Sequence, residues 1–124
     1  MHKISLLIGS GLGALGVIIG AFGAHAFKAI LEQNQRTATF ETAVKYHFSH
    51  ALALILLGIL MDRYPGKFLN LSMWAYIVGI VLFSGSLYIL SLTGNTKWGA
   101  IAPIGGISLV AGWVLLFWGI YKSS

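Results

Sequence analysis

The side chains in this sequence best suited to chemistry are His25, Glu41, His47 and His50. His47 and His50 are three positions apart, so on a helix they share a face, with Glu41 upstream on an adjacent side. Imidazole and carboxylate can ligate zinc or another transition metal, and the same groups can relay protons or contact a polar substrate. Set in apolar sequence they also have a plainer role, as hydrogen-bonded groups held between helices, because ionisable side chains at membrane depth need interior partners. Ser84-Gly85-Ser86 contributes two hydroxyls. These lack the strand-to-helix Gly-x-Ser-x-Gly setting of a serine hydrolase and suit bonds between helices. The candidate polar site is therefore His25, Glu41, His47, His50, Ser84 and Ser86, with no catalytic residue, metal or cofactor assigned.

The elements that carry these residues follow from composition. The chain has 124 residues, of which 57% are hydrophobic and 9% charged, against roughly 25% charged in soluble domains. Four stretches free of Asp, Glu, Lys and Arg, or nearly so, predict membrane-spanning helices at residues 4–26, 38–61, 71–92 and 99–121. Each is long enough for a hydrocarbon core that takes about 20 residues of helix to cross. The expected fold is all-α, a polytopic four-transmembrane-helix bundle with short loops forming a single integral membrane domain over residues 1–124. The first apolar run exceeds the usual core of a secretory signal, so the reading retains it as a span. No cysteine is present, which excludes disulfides and thiolate chemistry. The eight lysines and arginines stand singly beside apolar segments rather than in a strip, an arrangement suited to lipid headgroups and not to nucleic acid. Gly9-Ser10-Gly11-Leu12-Gly13 lies inside an apolar span and follows no strand, so nucleotide binding is not expected.

Glycine spacing predicts how the helices meet. Gly9, Gly13, Gly16, Gly20 and Gly23 fall on one face of the first span, and Gly105, Gly112 and Gly119 recur along the fourth, with Ser108 nearby. Such faces allow close backbone approach, which drives association in lipid. They predict that the first and fourth helices are neighbours, with self-association or a membrane-protein partner as a second use of the same faces. Pro103, followed by Gly105 and Gly106, is expected to kink the last helix. Glu41 and Lys45 have the favourable i, i+4 order for an ion pair. Tyr46, Tyr64, Tyr76, Tyr121, Trp74, Trp98 and Trp118 are expected near the membrane boundaries as anchors. Basic residues tie across the two sides, and the compact Arg63/Lys67 loop favours cytoplasmic termini.

Gly20-Ala21-Phe22-Gly23-Ala24-His25-Ala26, Phe40-Glu41-Thr42-Ala43, Tyr46-His47-Phe48-Ser49-His50-Ala51-Leu52-Ala53-Leu54, Phe83-Ser84-Gly85-Ser86-Leu87-Tyr88 and Pro103-Ile104-Gly105-Gly106 resemble, in order, the motifs of a bacterial domain-of-unknown-function small membrane protein family related to transmembrane protein 256. The resemblance covers almost the whole chain and implies a multi-pass protein of the bacterial cell membrane, without an activity or cofactor. It also implies that position 47 alternates between glutamine and histidine, which counts against an obligate His47/His50 metal pair. The function expected is that of a noncatalytic integral membrane protein that packs helices and contacts membrane lipids or a partner. The alternative is a small transporter or channel component using the polar site inside the bundle. An enzyme would require His25, Glu41, His47 or His50 to meet in one wet pocket.

Overall fold

The apolar runs form long helices, and the polar junctions stop them. The computed structural model describes residues 1–123. The elements in order are α1 (His2–Ala24), a short α2 (Lys28–Gln33), α3 (Thr37–Met61), α4 (Lys67–Thr93), a 3-10 turn (Thr96–Ala100) and α5 (Ala102–Lys122). Four of these segments are long and apolar enough to cross a membrane, the 3-10 turn and α5 counting as one. The chain is an all-α, four-span membrane bundle, and no strand occurs among the described residues.

The boundaries depart from expectation where the chain turns. α4 begins at Lys67, four residues before the expected start at 71, because Gly66 at φ +133° makes the turn and Leu69, two residues into the helix, is fully buried. Its other end is Gly94, left-handed at φ +74°, whose N–H bonds to the Leu90 carbonyl at 2.8 Å. α2 falls in the connection between the first two expected spans, 4–26 and 38–61, where only a short loop was expected. Leu31, 1% exposed, pins it down, and Asn34 Nδ2 donates to the Ser91 carbonyl at 3.0 Å, tying the α2–α3 turn to the end of α4. Pro103 starts α5 and does not kink it. In the first helical turn its missing N–H costs no hydrogen bond.

The packed seams join α1 to α3, α3 to α4, and α4 to α5. The middle pair carries the core: α3 and α4 each bury ten residues, whereas α1 buries three and α5 five. The expected contact between the first and last spans is therefore replaced by two separate seams, because each glycine face turns to the adjacent central helix. Gly9 lies against the Ala51 carbonyl and Ile55, Gly16 against His47, Gly20 against Val44 and Gly23 against Phe40. On the other flank Gly105 abuts the Phe83 backbone, Gly112 the Tyr76 ring and Gly119 the Leu69 side chain. Gly13 does not belong to the packed face, since a Cβ built there meets nothing within 4 Å. The outer surfaces of α1 and α5 carry bare apolar side chains such as Leu7, Val17, Ile107 and Val114, as expected of helices facing lipid.

Candidate functional site

His47, near the middle of α3, is 2% exposed and joins three helices. Its Nε2 lies 2.8 Å from the Leu12 carbonyl of α1, and its Nδ1 lies 2.7 Å from the Tyr88 hydroxyl of α4. A carbonyl can only accept, so Nε2 carries the proton and Nδ1 accepts from Tyr88. Both nitrogens of the neutral ring are thereby used. Gly16 lies beside this contact, four residues after Leu12: a Cβ there would stand 3.4 Å from the His47 ring, in ordinary van der Waals contact.

His50, one turn further, is also buried. Its Nδ1 faces the Tyr46 carbonyl of its own helix at 2.8 Å, and its Nε2 accepts from Trp113 Nε1 of α5 at 3.0 Å. The ring sits among the aromatic faces of Tyr46, Tyr76 and Trp113. The two histidines share a helical register but spend their lone pairs on different neighbours, so a shared metal would have to break the Tyr88 and Trp113 bonds. Among the described residues no cluster of three or more His, Cys, Asp or Glu has the geometry to hold a metal ion.

The remaining candidates do not converge on this pair. Ser84 Oγ donates to the Ala43 carbonyl across the α3/α4 seam at 2.8 Å, whereas Ser86 Oγ donates within α4 to Phe83 at 3.0 Å. His25 is exposed where α1 ends, and Glu41 is exposed at the outer part of α3. Glu41 and Lys45 do not form the expected ion pair, since the sole ion-pair contact among the described residues joins His2 to Asp62 at 3.6 Å. Tyr76 is no boundary anchor. It is fully buried in the core, and its hydroxyl has no hydrogen-bond partner among the described residues.

What sequence reasoning missed is the set of acceptors and aromatic partners. Ser5 donates to Leu54, Ser72 to Gly112 and Ser108 to Ala75, each across a seam at 2.6–2.7 Å. Three of the carbonyls used across seams, Leu12, Leu54 and Ala75, stand four residues before Gly16, Gly58 and Gly79. In an α-helix the carbonyl of residue i points toward residue i+4, so a glycine there uncovers it. A serine or histidine on one span and a glycine on the next is the sequence signal that could have found these bonds. Tyr88 and Trp113, the partners of the two histidines, carry no such signal.

The model of the family described as "Protein of unknown function (DUF423)" matches residues 19–106, a range that holds His25, His47, His50, Tyr88 and Pro103. The chain belongs to this family. Relatives match over nearly their full length. They include the UPF0382 membrane protein YwdK of Bacillus subtilis, 37% identical over 92% of this chain and 93% of that one. The UPF0382 membrane protein SH2409 of Staphylococcus haemolyticus is 38% identical over 97% of both chains, and the UPF0382 inner membrane protein YgdD of Escherichia coli is 33% identical over 97% of this chain and 91% of its own. No solved structure matches. The DUF423 chain is thus an integral, multi-pass bacterial membrane protein. His47, His50, Ser72 and Ser84, buried polar residues that bond across helix seams, lie inside the matched region, whereas buried Ser5 lies before it.

Proposed function

We propose that this protein is a noncatalytic membrane component whose buried polar groups hold the helices in register while its outer faces contact lipid. The observation that carries the reading is the commitment of both histidines: each ring nitrogen of His47 and His50 is already bonded to a carbonyl, a hydroxyl or an indole N–H. A general base or metal ligand needs a free lone pair in its working tautomer. The outer helices support the second half of the reading, because their exposed side chains are large and apolar along most of their length. Lipid packs against such surfaces without a protein partner. The transporter alternative needs a polar path, and here the serines and histidines turn toward separate carbonyls, Ser84 and His47 across a seam and Ser86 and His50 within their own helices.

The test is native mass spectrometry of the chain extracted into lipid nanodiscs, paired with flux assays in liposomes. The expected result is retained lipid without metal, and no proton or solute flux above that of a liposome control. A metal mass that disappears in His47→Gln or His50→Gln, or sustained flux that those variants abolish, would overturn it.

A further inference from the structure

Three depressions follow one another down the membrane-facing side of the α1/α3 seam. The outermost, about 280 Å³, is bordered by Gly23, Glu41 and Lys45; the next, about 390 Å³, by Gly16 and Ser49; the innermost, about 210 Å³, by Gly9 and Gly13. Gly20, Val44 and Lys45 line both the first and the second, and Val17 and Phe48 line both the second and the third. The three are therefore one furrow. From Gly23 to Gly9 it follows α1 for about 21 Å at 1.5 Å per residue, more than the half-thickness of a hydrocarbon core about 30 Å deep. Its walls are apolar and exposed at Val17, Phe48 and Leu52, and its charged side chains stand only at the outer end.

The charges there are ordered. α3 starts at Thr37 outside the apolar region and runs inward, so Glu41 is outermost and Lys45 one turn deeper, where the furrow turns apolar. The two do not pair with each other, which leaves an anion above a cation, both free to meet a ligand. A phospholipid with an ethanolamine headgroup presents the complementary order, its ammonium outermost, its phosphate deeper and its acyl chains below. A headgroup carrying phosphate alone would satisfy Lys45 but leave Glu41 facing an anion.

We infer that the α1/α3 furrow seats one phosphatidylethanolamine molecule, with its ammonium on Glu41, its phosphate on Lys45 and an acyl chain along the glycine floor toward Gly9. This rests on the lipid-contacting reading above and names the lipid class and its place.

The test uses the full chain in nanodiscs of mixed phosphatidylethanolamine and phosphatidylglycerol, released into detergent and weighed by native mass spectrometry. One phosphatidylethanolamine should remain per chain. The double exchange Glu41→Lys with Lys45→Glu preserves net charge but inverts the order, and should lower retention by about tenfold, the weight of one charge-assisted contact. Gly13→Leu should fill the furrow and remove the bound lipid while the helices stay packed, because a Cβ at Gly13 meets nothing within 4 Å. Circular dichroism and thermal unfolding report whether both variants remain folded. Equal retention of phosphatidylglycerol, retention indifferent to either substitution, or a wild-type dimer that Gly13→Leu dissociates would overturn this inference and leave the noncatalytic reading standing. A wild-type chain that holds no lipid but carries a metal or supports flux would overturn both.

Discussion

His47 and Tyr76 sit in the same core and differ in what their polar atoms meet. The His47 ring has a partner on both sides, Leu12 and Tyr88, whereas the Tyr76 hydroxyl has none among the described residues. Removing a hydroxyl should therefore have opposite consequences at two tyrosines of α4. Tyr88→Phe strands His47 Nδ1 in the core and is expected to destabilise the fold by roughly 1–2 kcal/mol, near the upper end for bonds between membrane helices. Tyr76→Phe removes a buried polar atom with no bond to lose and is expected to be neutral or mildly stabilising. Equilibrium unfolding of the two variants in bicelles would check the contrast, and equal losses would count against it. At this scale the sequence was partly legible. His47, His50 and Ser84 could be read as polar groups needing interior partners, since an apolar span tolerates them in no other way. Which atoms answer them was not, because Leu12, Ala43 and Trp113 come from other helices and any span supplies carbonyls.

The helices are held by close approach at glycine and by hydroxyls reaching uncovered carbonyls. A Cβ at Gly105 would collide with the Phe83 backbone, while at Gly13 it would reach open space. Gly105→Val should accordingly cost several kcal/mol or prevent folding, as overpacking against rigid backbone does. Gly13→Ala should leave thermal stability nearly unchanged. Pro103→Ala should also be close to neutral, because Pro103 occupies the first turn of α5, where no intrahelical donor is lost. Thermal unfolding of the three variants in one detergent would rank them, and a large loss in Pro103→Ala would restore the kinked-helix reading. The existence of each span was readable from apolar length alone. The start of α5 was not, since a proline two residues into a helix and one placed to bend it look alike in sequence.

Across the whole molecule, α3 and α4 form a buried centre, and α1 and α5 flank it with apolar faces turned outward. An even number of spans places the amino terminus and the Asp62–Gly66 turn at one end of the bundle and α2 with the Thr96–Ala100 turn at the other. The natural sequence has no cysteine, so single cysteines report topology without background. Asp62→Cys and Ser123→Cys should react with an impermeant thiol reagent from the same side of a sealed vesicle, and Gln33→Cys from the opposite side. Labelling of Gln33→Cys and Asp62→Cys from one side would contradict the four-span arrangement.

By itself the sequence determined the solvent of this protein and its number of crossings. A run of about 20 apolar residues has few other stable settings, and backbone groups in lipid must be satisfied within a helix. It also marked the glycine faces, because helical periodicity is a local property. Tertiary structure alone decided which helix each face meets, sending α1 to α3 and α5 to α4 where the repeats suggested one another. It likewise decided that His47 and His50 look to different helices and that Glu41 and Lys45 stand apart at the mouth of a furrow. Glycine stripes carry no partner label in their spacing. Their partner is set by side-chain complementarity across a seam, which is a property of two helices together.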